Sequence, residues 1–231
     1  AGPAGLFCAC ILAEAGFRPI VIERGSRVEK RTCDVQKFWE SGILNPKSNV
    51  QFGEGGAGTF SDGKLNTSVK DPSGRNRLVL ETFVRFGADP SILYDNKPHI
   101  GTDVLSEVIV NMREFLVDKG TTFIFDTCVS NLDIVSNKLL SVYTDSDSNS
   151  EIKTDVCVLA LGHSARDTFD MLYNKGFDME CKSFAVGFRV EHPQHMIDES
   201  QYGIQNKIIL PPSPYKVTSN FPNGRGVYSF C

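Results

Sequence analysis

Ala1-Gly2-Pro3-Ala4-Gly5-Leu6-Phe7-Cys8-Ala9-Cys10-Ile11-Leu12-Ala13-Glu14-Ala15-Gly16-Phe17-Arg18-Pro19-Ile20-Val21-Ile22-Glu23-Arg24-Gly25 is the stretch that decides the fold. Gly2-Pro3-Ala4-Gly5 matches the end of a G-x-G-x-x-G fingerprint, whose first glycine is expected before residue 1, with a strand ahead of it. A small-residue amphipathic helix is expected over Leu6–Ala15, closed by Gly16, followed by a short apolar strand, Pro19–Ile22, that runs into Glu23. Each part has a physical job. Gly2 lets backbone approach a pyrophosphate, and Gly5, with Ala9 and Ala13, lets the helix pack close to a strand. The helix N-terminus offers unpaired N–H groups and the positive end of its dipole to phosphate charge. Glu23 ends the strand about 20 residues past the glycines, where a carboxylate accepts hydrogen bonds from a ribose. A carboxylate here disfavours a 2′-phosphate, so the pattern points to FAD or NAD rather than NADP. A helix that merely begins on glycines would show one of these features; here four agree.

Outward from that stretch, the next dense signal is Val50-Gln51-Phe52-Gly53-Glu54-Gly55-Gly56-Ala57-Gly58-Thr59-Phe60-Ser61-Asp62-Gly63-Lys64-Leu65. It holds five glycines in the eleven residues 53–63, far above the usual share of about 7%. Flexible linkers lack large apolar residues. Phe52, Phe60 and Leu65 therefore favour an ordered loop that brings backbone close to a ligand, with successive N–H groups able to form an anion nest.

Composition sets the limits. The chain has 231 residues, 41% apolar and 23% charged, as in an ordinary globular protein, and carries a net charge of −4. That charge gives no electrostatic case for nucleic acid or an anionic membrane. No apolar run approaches the roughly 18 residues of a membrane span. Seven cysteines, with no C-x-x-C, support neither zinc nor a redox disulfide. Cys8, Cys10 and Cys157 read as small buried hydrophobes, which favours a reducing intracellular compartment, cytoplasm or organelle. The chain is expected to be a fragment at both ends, since it starts inside a motif and stops on the strand-like run Val227–Cys231.

In chain order, 26–38 is polar and is expected at the surface, and Trp39 is expected in the core in preference to a lid over the site. A helix is expected over Arg77–Phe86, closed by Gly87, and another after Thr102 or Asp103 as N-cap, with the stripe Leu105, Val108, Ile109, Met112, Phe115 and Leu116 facing the core. Strands are expected at Thr122–Phe125, Val129–Ile134, Leu139–Tyr143 and Ile152–Leu161, the acidic Asp145–Ser150 stretch being a loop. The run Thr154–Gly162 reads as a buried strand ending at the carboxyl edge of a sheet, where open α/β folds bind ligands. His163, Ser164 and Arg166 follow it directly. A helix over Thr168–Asn174 precedes a strand at Ser183–Pro193, and the remainder is expected to hold strands and prolines without a helix.

Phe52–Leu65, together with Gly2, Gly5 and Glu23, resembles a family of FAD-dependent dehydrogenases of largely unassigned substrate within the glutathione-reductase-like flavoproteins. The resemblance implies that Gly2, Pro3, Ala4, Gly5, Glu23 and Arg24 hold the ADP half of FAD. It implies that Gly53, Gly55, Gly56, Ala57 and Gly58 face the flavin or its pyrophosphate, and that Gly162, with His163 after it, lies against FAD. His99, in a similar His-Ile-Gly-Thr stretch, is either a flavin-proximal acid or a structural histidine. Arg189, His192 and Tyr202 become candidate substrate contacts, although His192, next to Pro193, reads better as a strand-end surface residue. The implied fold is α/β: a Rossmann-like FAD/NAD(P)-binding domain over 1–170 with an antiparallel β-meander inserted near 128–153, then part of an antiparallel β-rich substrate domain over 171–231. The implied activity is FAD-dependent hydride transfer to or from a small-molecule substrate, with NAD(P)H as a candidate electron partner and the oligomeric state open. Two other classes stay open: an NAD-binding dehydrogenase with one Rossmann unit, and a flavin-binding protein or fragment without turnover.

Overall fold

A computed structural model describes residues 1–61, 63–65, 70–95, 97–148, 150–188, 190–203 and 210–229. They form two compact units, 1–179 and 180–231. The first is mixed α/β, in the order α1 (Pro3–Glu14), β1 (Ile20–Ile22), α2 (Val28–Ser41), α3 (Arg75–Arg85), α4 (Thr102–Asp118), β2 (Thr122–Ile124), β3 (Val129–Val135), β4 (Lys138–Thr144), β5 (Glu151–Lys153) and α5 (Arg166–Asn174). The α5 helix, which spans the expected boundary at 170, lies wholly in this unit.

The apolar stripe of α4 builds the core. Val108, Ile109, Met112 and Leu116 are buried against Leu6, Ala9, Cys10 and Ala13 of α1 and against Phe83 and Phe86. Phe7 meets Phe83 edge-on at 5.4 Å, a favoured aromatic geometry. β1 and β2 pair in parallel, with Ile20 opposite Thr122 and Ile22 opposite Ile124. The return from β1 to β2 thus passes through α2, α3 and α4, as a parallel crossover requires. β3, β4 and β5 form an antiparallel meander, its first turn made by Ser136 (φ 50°) and Asn137 (φ 62°). Two left-handed residues in a two-residue hairpin match the strands' own twist. Leu132 and Val142 of the meander pack on Leu172 of α5.

Several expectations change. α1 is apolar nearly all round, with Ile11 exposed, rather than amphipathic. The polar 26–41 region is not merely surface: α2 buries Val28, Arg31 and Val35 along one stripe. Trp39, expected in the core, is 63% exposed: it continues the phase of that stripe but lies in the last turn of the helix, past the segment that packs. Gly101, not Thr102 or Asp103, is the N-cap of α4, which has no side-chain cap. Of the expected strand Ile152–Leu161, only Glu151–Lys153 pairs. Residues 154–161 run on without a ladder, and Val156, Cys157 and Val158 are exposed. A strand is defined by its neighbour, and among the described residues none lies alongside this run.

In the second unit, 183–188 is exposed and outside any strand. A helix absent from the sequence reading, α6 (Gln194–Tyr202), starts after Pro193, and an antiparallel hairpin follows, β6 (Thr218–Asn220) with β7 (Gly226–Tyr228). Proline just ahead of a helix loses no needed hydrogen bond, so the His192-Pro193 pair opens a helix instead of ending a strand. Asp198 Oδ1 ties α6 down by accepting from Ser213 N at 2.7 Å and Gln194 Nε2 at 2.9 Å. Among the described residues no helix is long and apolar enough to cross a membrane.

Met112→Ala is expected to cost roughly 2–5 kcal/mol through the cavity it leaves. Trp39→Ala should stay within about 0.5 kcal/mol of wild type. Denaturant midpoints at constant slope read both, and a large loss for Trp39→Ala would contradict its exposure.

Candidate functional site

The first turn of α1 is where the chain's separate segments converge. Gly2 is the N-cap and its carbonyl accepts from Leu6 N at 2.9 Å. Pro3 occupies the first helical position, where a missing N–H costs nothing. No side chain caps this end, so the N–H groups of Ala4 and Gly5 have no capping partner, and Pro3 and Ala4 are exposed. Two backbones lie against the turn. A Cβ on Gly2 would sit 3.6 Å from Gly56 Cα, and one on Gly56 would sit 2.9 Å from Pro3 Cδ. A Cβ on Gly5 would sit 3.7 Å from Ala160 Cβ, so the run that leads to Gly162 passes this turn.

Glu23, at the end of β1, stitches the turn to the glycine loop. Its Oε1 accepts from Gly25 N at 2.9 Å and Gly53 N at 3.0 Å, and its Oε2 from the Ala1 amine at 2.7 Å. Burial opposes its ionisation. The hydrogen bonds from Gly25 N and Gly53 N favour the ionised form. The backbones of Gly25 and Gly53 touch, since a Cβ on Gly25 would lie 2.6 Å from Gly53 Cα.

The loop itself divides in two. Gly53 (φ 123°) and Gly55 (φ 88°) are buried, and a side chain there would overlap Arg31 and Thr59 respectively. Their smallness is explained by the protein's own packing. Gly56, Ala57 and Gly58 turn outward beside α1, the last two exposed in a short 3₁₀ turn, Ala57–Phe60. Gly162 (φ 68°) is exposed with open space around it. His163 is exposed, its Nε2 3.3 Å from Ser164 Oγ, which hydrogen-bonds Gln51 in turn. Arg24 closes the same side: its guanidinium stacks on Phe52 at 4.5 Å and pairs with Asp167 at 2.7 Å and Thr168 Oγ1 at 3.2 Å. The Arg24 hydrogen bond holds the Asp167 carboxyl below its ordinary range.

The structure therefore gathers Gly2, Pro3, Ala4, Gly5, Glu23, Gly53, Gly55 and Gly56 around one turn, with Ala57 and Gly58 following Gly56. It joins Arg24 to the segment carrying Gly162 and His163. Within the first unit, it does not bring His99 to this turn. His99 is exposed, on a short antiparallel bridge to Lys64, and His192 and Tyr202 belong to the second unit, where His192 Nε2 meets Tyr215 OH at 2.9 Å. Arg189 lies outside the described residues.

Sequence reasoning missed the charges beneath the loop. Glu54 is fully buried, and its Oε2 accepts from Val28 N, the first helical amide of α2, and from Arg113 Nη1, both at 2.8 Å. Burial raises its pKa, against the pull of Val28 N–H and Arg113. Arg113 of α4 also pairs with Glu29. Arg31 is fully buried on the same helix as Glu29. The signal was present: Arg31 stands at the spacing of Val28 and Val35, on the apolar stripe of an otherwise polar helix.

Residues 183–231 match the family described as FAD-dependent protein, C-terminal domain-like. The match ties the second unit to proteins described as FAD-dependent. An uncharacterized protein of Clostridium beijerinckii (strain ATCC 51743 / NCIMB 8052) is 46% identical over 232 residues, across 100% of this chain, and the chain spans 43% of that relative's length. Among solved structures, L-amino acid deaminase from Proteus myxofaciens, in complex with anthranilate, superposes with a TM-score of 0.44 at 13% identity, over 77% of this chain and 47% of that one.

Gly53→Ala and Gly55→Ala should each destabilise the first unit by about 1–3 kcal/mol, from left-handed strain and overlap. Gly58→Ala, with open space around it, should be silent within about 0.5 kcal/mol. The order of the three melting points checks this. On pH, Asp167 has a lowered pKa in the folded state, so its tie to Arg24 is present above the ordinary Asp value and lost as pH falls through the lower one. NMR titration of the Asp167 carboxyl should show a midpoint below the ordinary Asp value in wild type and a higher one in Arg24→Met.

Proposed function

We propose that the first unit is a Rossmann-like dinucleotide-binding domain that holds the ADP half of FAD, and that the protein is an FAD-dependent oxidoreductase. In this role it moves hydride between a small organic substrate and the flavin. One observation carries the proposal: the uncapped first turn of α1, walled by Gly56 and Ala160, stands beside a carboxylate at the end of a parallel strand. The match of residues 183–231 to an FAD-dependent family supports it.

The residues fit a pyrophosphate-linked cofactor. Ala4 and Gly5 have exposed or half-exposed backbone and no capping side chain, so their N–H groups are free to donate to phosphate oxygens. The space beside Gly2 is one that a Cβ would narrow. Glu23 has one oxygen committed to Gly25 and Gly53, leaving Oε2, where the Ala1 amine now sits, as the ribose-facing acceptor. Gly56, Ala57 and Gly58 offer backbone on the outward side of the loop. Arg24, already paired with Asp167, orients that wall and carries no spare charge for a 2′-phosphate. Gly162 and His163 border the same region from the run that passes Gly5. FAD, when bound, supplies the hydride chemistry; this chain's residues bind it, orient it and set the charge around it. NAD(P)H is the proposed electron partner.

The purified full chain is expected to be yellow, with FAD identified by mass after heat release. Gly5→Val, which forces branches into Ala160, should weaken FAD retention by on the order of tenfold or more. A colourless protein that also fails to take up added FAD sinks the proposal, and NAD in place of FAD moves it to a one-unit dehydrogenase.

A further inference from the structure

The glycine loop is too rich in glycine to hold its own shape, yet residues 49–60 are ordered around a single side chain. Arg31 reaches across from α2 with no exposed surface. Its Nε donates to Asn49 O at 2.9 Å, and its Nη1 to Glu54 O at 2.6 Å and Gly53 O at 3.3 Å. Its guanidinium lies 4.8 Å from the Phe60 ring. Both ends of the loop and its middle are thus bound to one rigid fork. The Asn49 side chain extends the hold, its Oδ1 accepting from Gln51 N at 2.8 Å and Phe52 N at 3.2 Å. Gly53 has no room for a side chain because Arg31 fills that space.

We infer that Arg31 is the positioning residue of the candidate dinucleotide site, fixing the loop backbone so that Gly56–Gly58 face outward beside the first turn of α1. The inference rests on the dinucleotide reading of that turn. The physical case is a satisfaction argument. The carbonyls of Asn49 and Glu54 take their donor from Arg31, which adds a longer second bond to Gly53 O beside the one from Gly56 N at 3.0 Å, and the loop's glycines bring no side chains to replace it. A guanidinium presents several donors in one plane, whereas an ammonium is a compact point charge that cannot bracket three carbonyls in fixed geometry. Burying a cation is costly; the bonds from Nε and Nη1 and the Phe60 ring offset part of that cost, while Nη2 is buried without a hydrogen-bond partner. Arg31 touches neither proposed ligand nor reacting atoms; it acts through the loop.

The test compares Arg31→Met and Arg31→Lys in the full chain. Hydrogen exchange, without added FAD, reads the amides of Glu54, Gly55 and Gly56, which bond Ser26 O, Ala1 O and Gly53 O. In Arg31→Met these should exchange about tenfold faster or more, while amides of β4 and α4 keep wild-type protection. FAD affinity, measured by flavin fluorescence, should fall by a similar factor, with Arg31→Lys between the two. Unchanged loop exchange overturns the inference. So does equal acceleration across the whole first unit, or failure of both variants to fold, since each would make Arg31 a general stability residue. Loosened loop amides with unchanged FAD affinity overturn the link to the site. If wild type itself binds no FAD, the dinucleotide reading fails, and loop exchange still decides whether Arg31 holds the loop.

Discussion

Two places where backbone meets backbone govern the first unit. Gly25 lies on Gly53, and Gly2 lies on Gly56. A Cβ on Gly25, Gly53 or Gly56 would meet its neighbour at under 3 Å, whereas one on Gly2 would make ordinary contact, so these three glycines set the distance between the end of β1, the start of α1 and the loop after α2. Everything else in the region follows from that spacing. Because Gly53 is near, the Glu23 carboxylate can accept from two loops at once. Because Gly56 is near, Gly55 N reaches Ala1 O at 2.9 Å. The glycines thus act first on the protein's own architecture, and the outward face beside α1 is a consequence of how the inward face packs.

This spacing also explains which parts were legible in the sequence. α1, β1, α4 and the meander came from local signals: a glycine–helix–strand order, a 3.6-residue apolar stripe, and short β-rich runs parted by turn residues. Those signals act within a dozen residues. Gly2 and Glu23 were legible together because one fingerprint contains both, and Gly53 joined them only through the resemblance carried by the glycine-rich run. The return strand was not, because Val156–Leu161 has strand composition, but strand formation depends on a partner that composition cannot supply. Trp39 was misplaced for a related reason: an aromatic residue is core-seeking on average and this one even keeps the phase of Val28, Arg31 and Val35, but it sits in the last turn of α2, where nothing in the sequence shows that the packing has ended. The same phase reveals Arg31, which a reading by residue type puts at the surface. In the tail, the polar run Gln194–Tyr202 has no apolar stripe to announce a helix, and α6 buries none of its residues; it is held by Asp198 and by its proline start instead.

A glycine-rich loop leaves many backbone groups needing partners and few side chains to supply them. The chain solves this by importing them from helices. Glu54 caps α2 through Val28 N, twenty-six residues away in sequence, where a carboxylate also meets the positive end of the helix dipole. Arg113 from α4 answers Glu54, and Glu29 answers Arg113. Arg31 takes the loop's carbonyls. A hydrophobic filling of the same volume is often at least as stable as a buried ion pair, but it would leave these backbone groups unpaired, and no apolar residue could tie α2, α4 and the loop together. The polar core is therefore a requirement of the loop, and the loop is a requirement of the close approach at Gly2 and Gly25. Removing Arg113 leaves the buried Glu54 carboxylate without its cation, and removing Arg31 leaves loop carbonyls without their donor, so these side chains hold α2, α4 and the loop to one another.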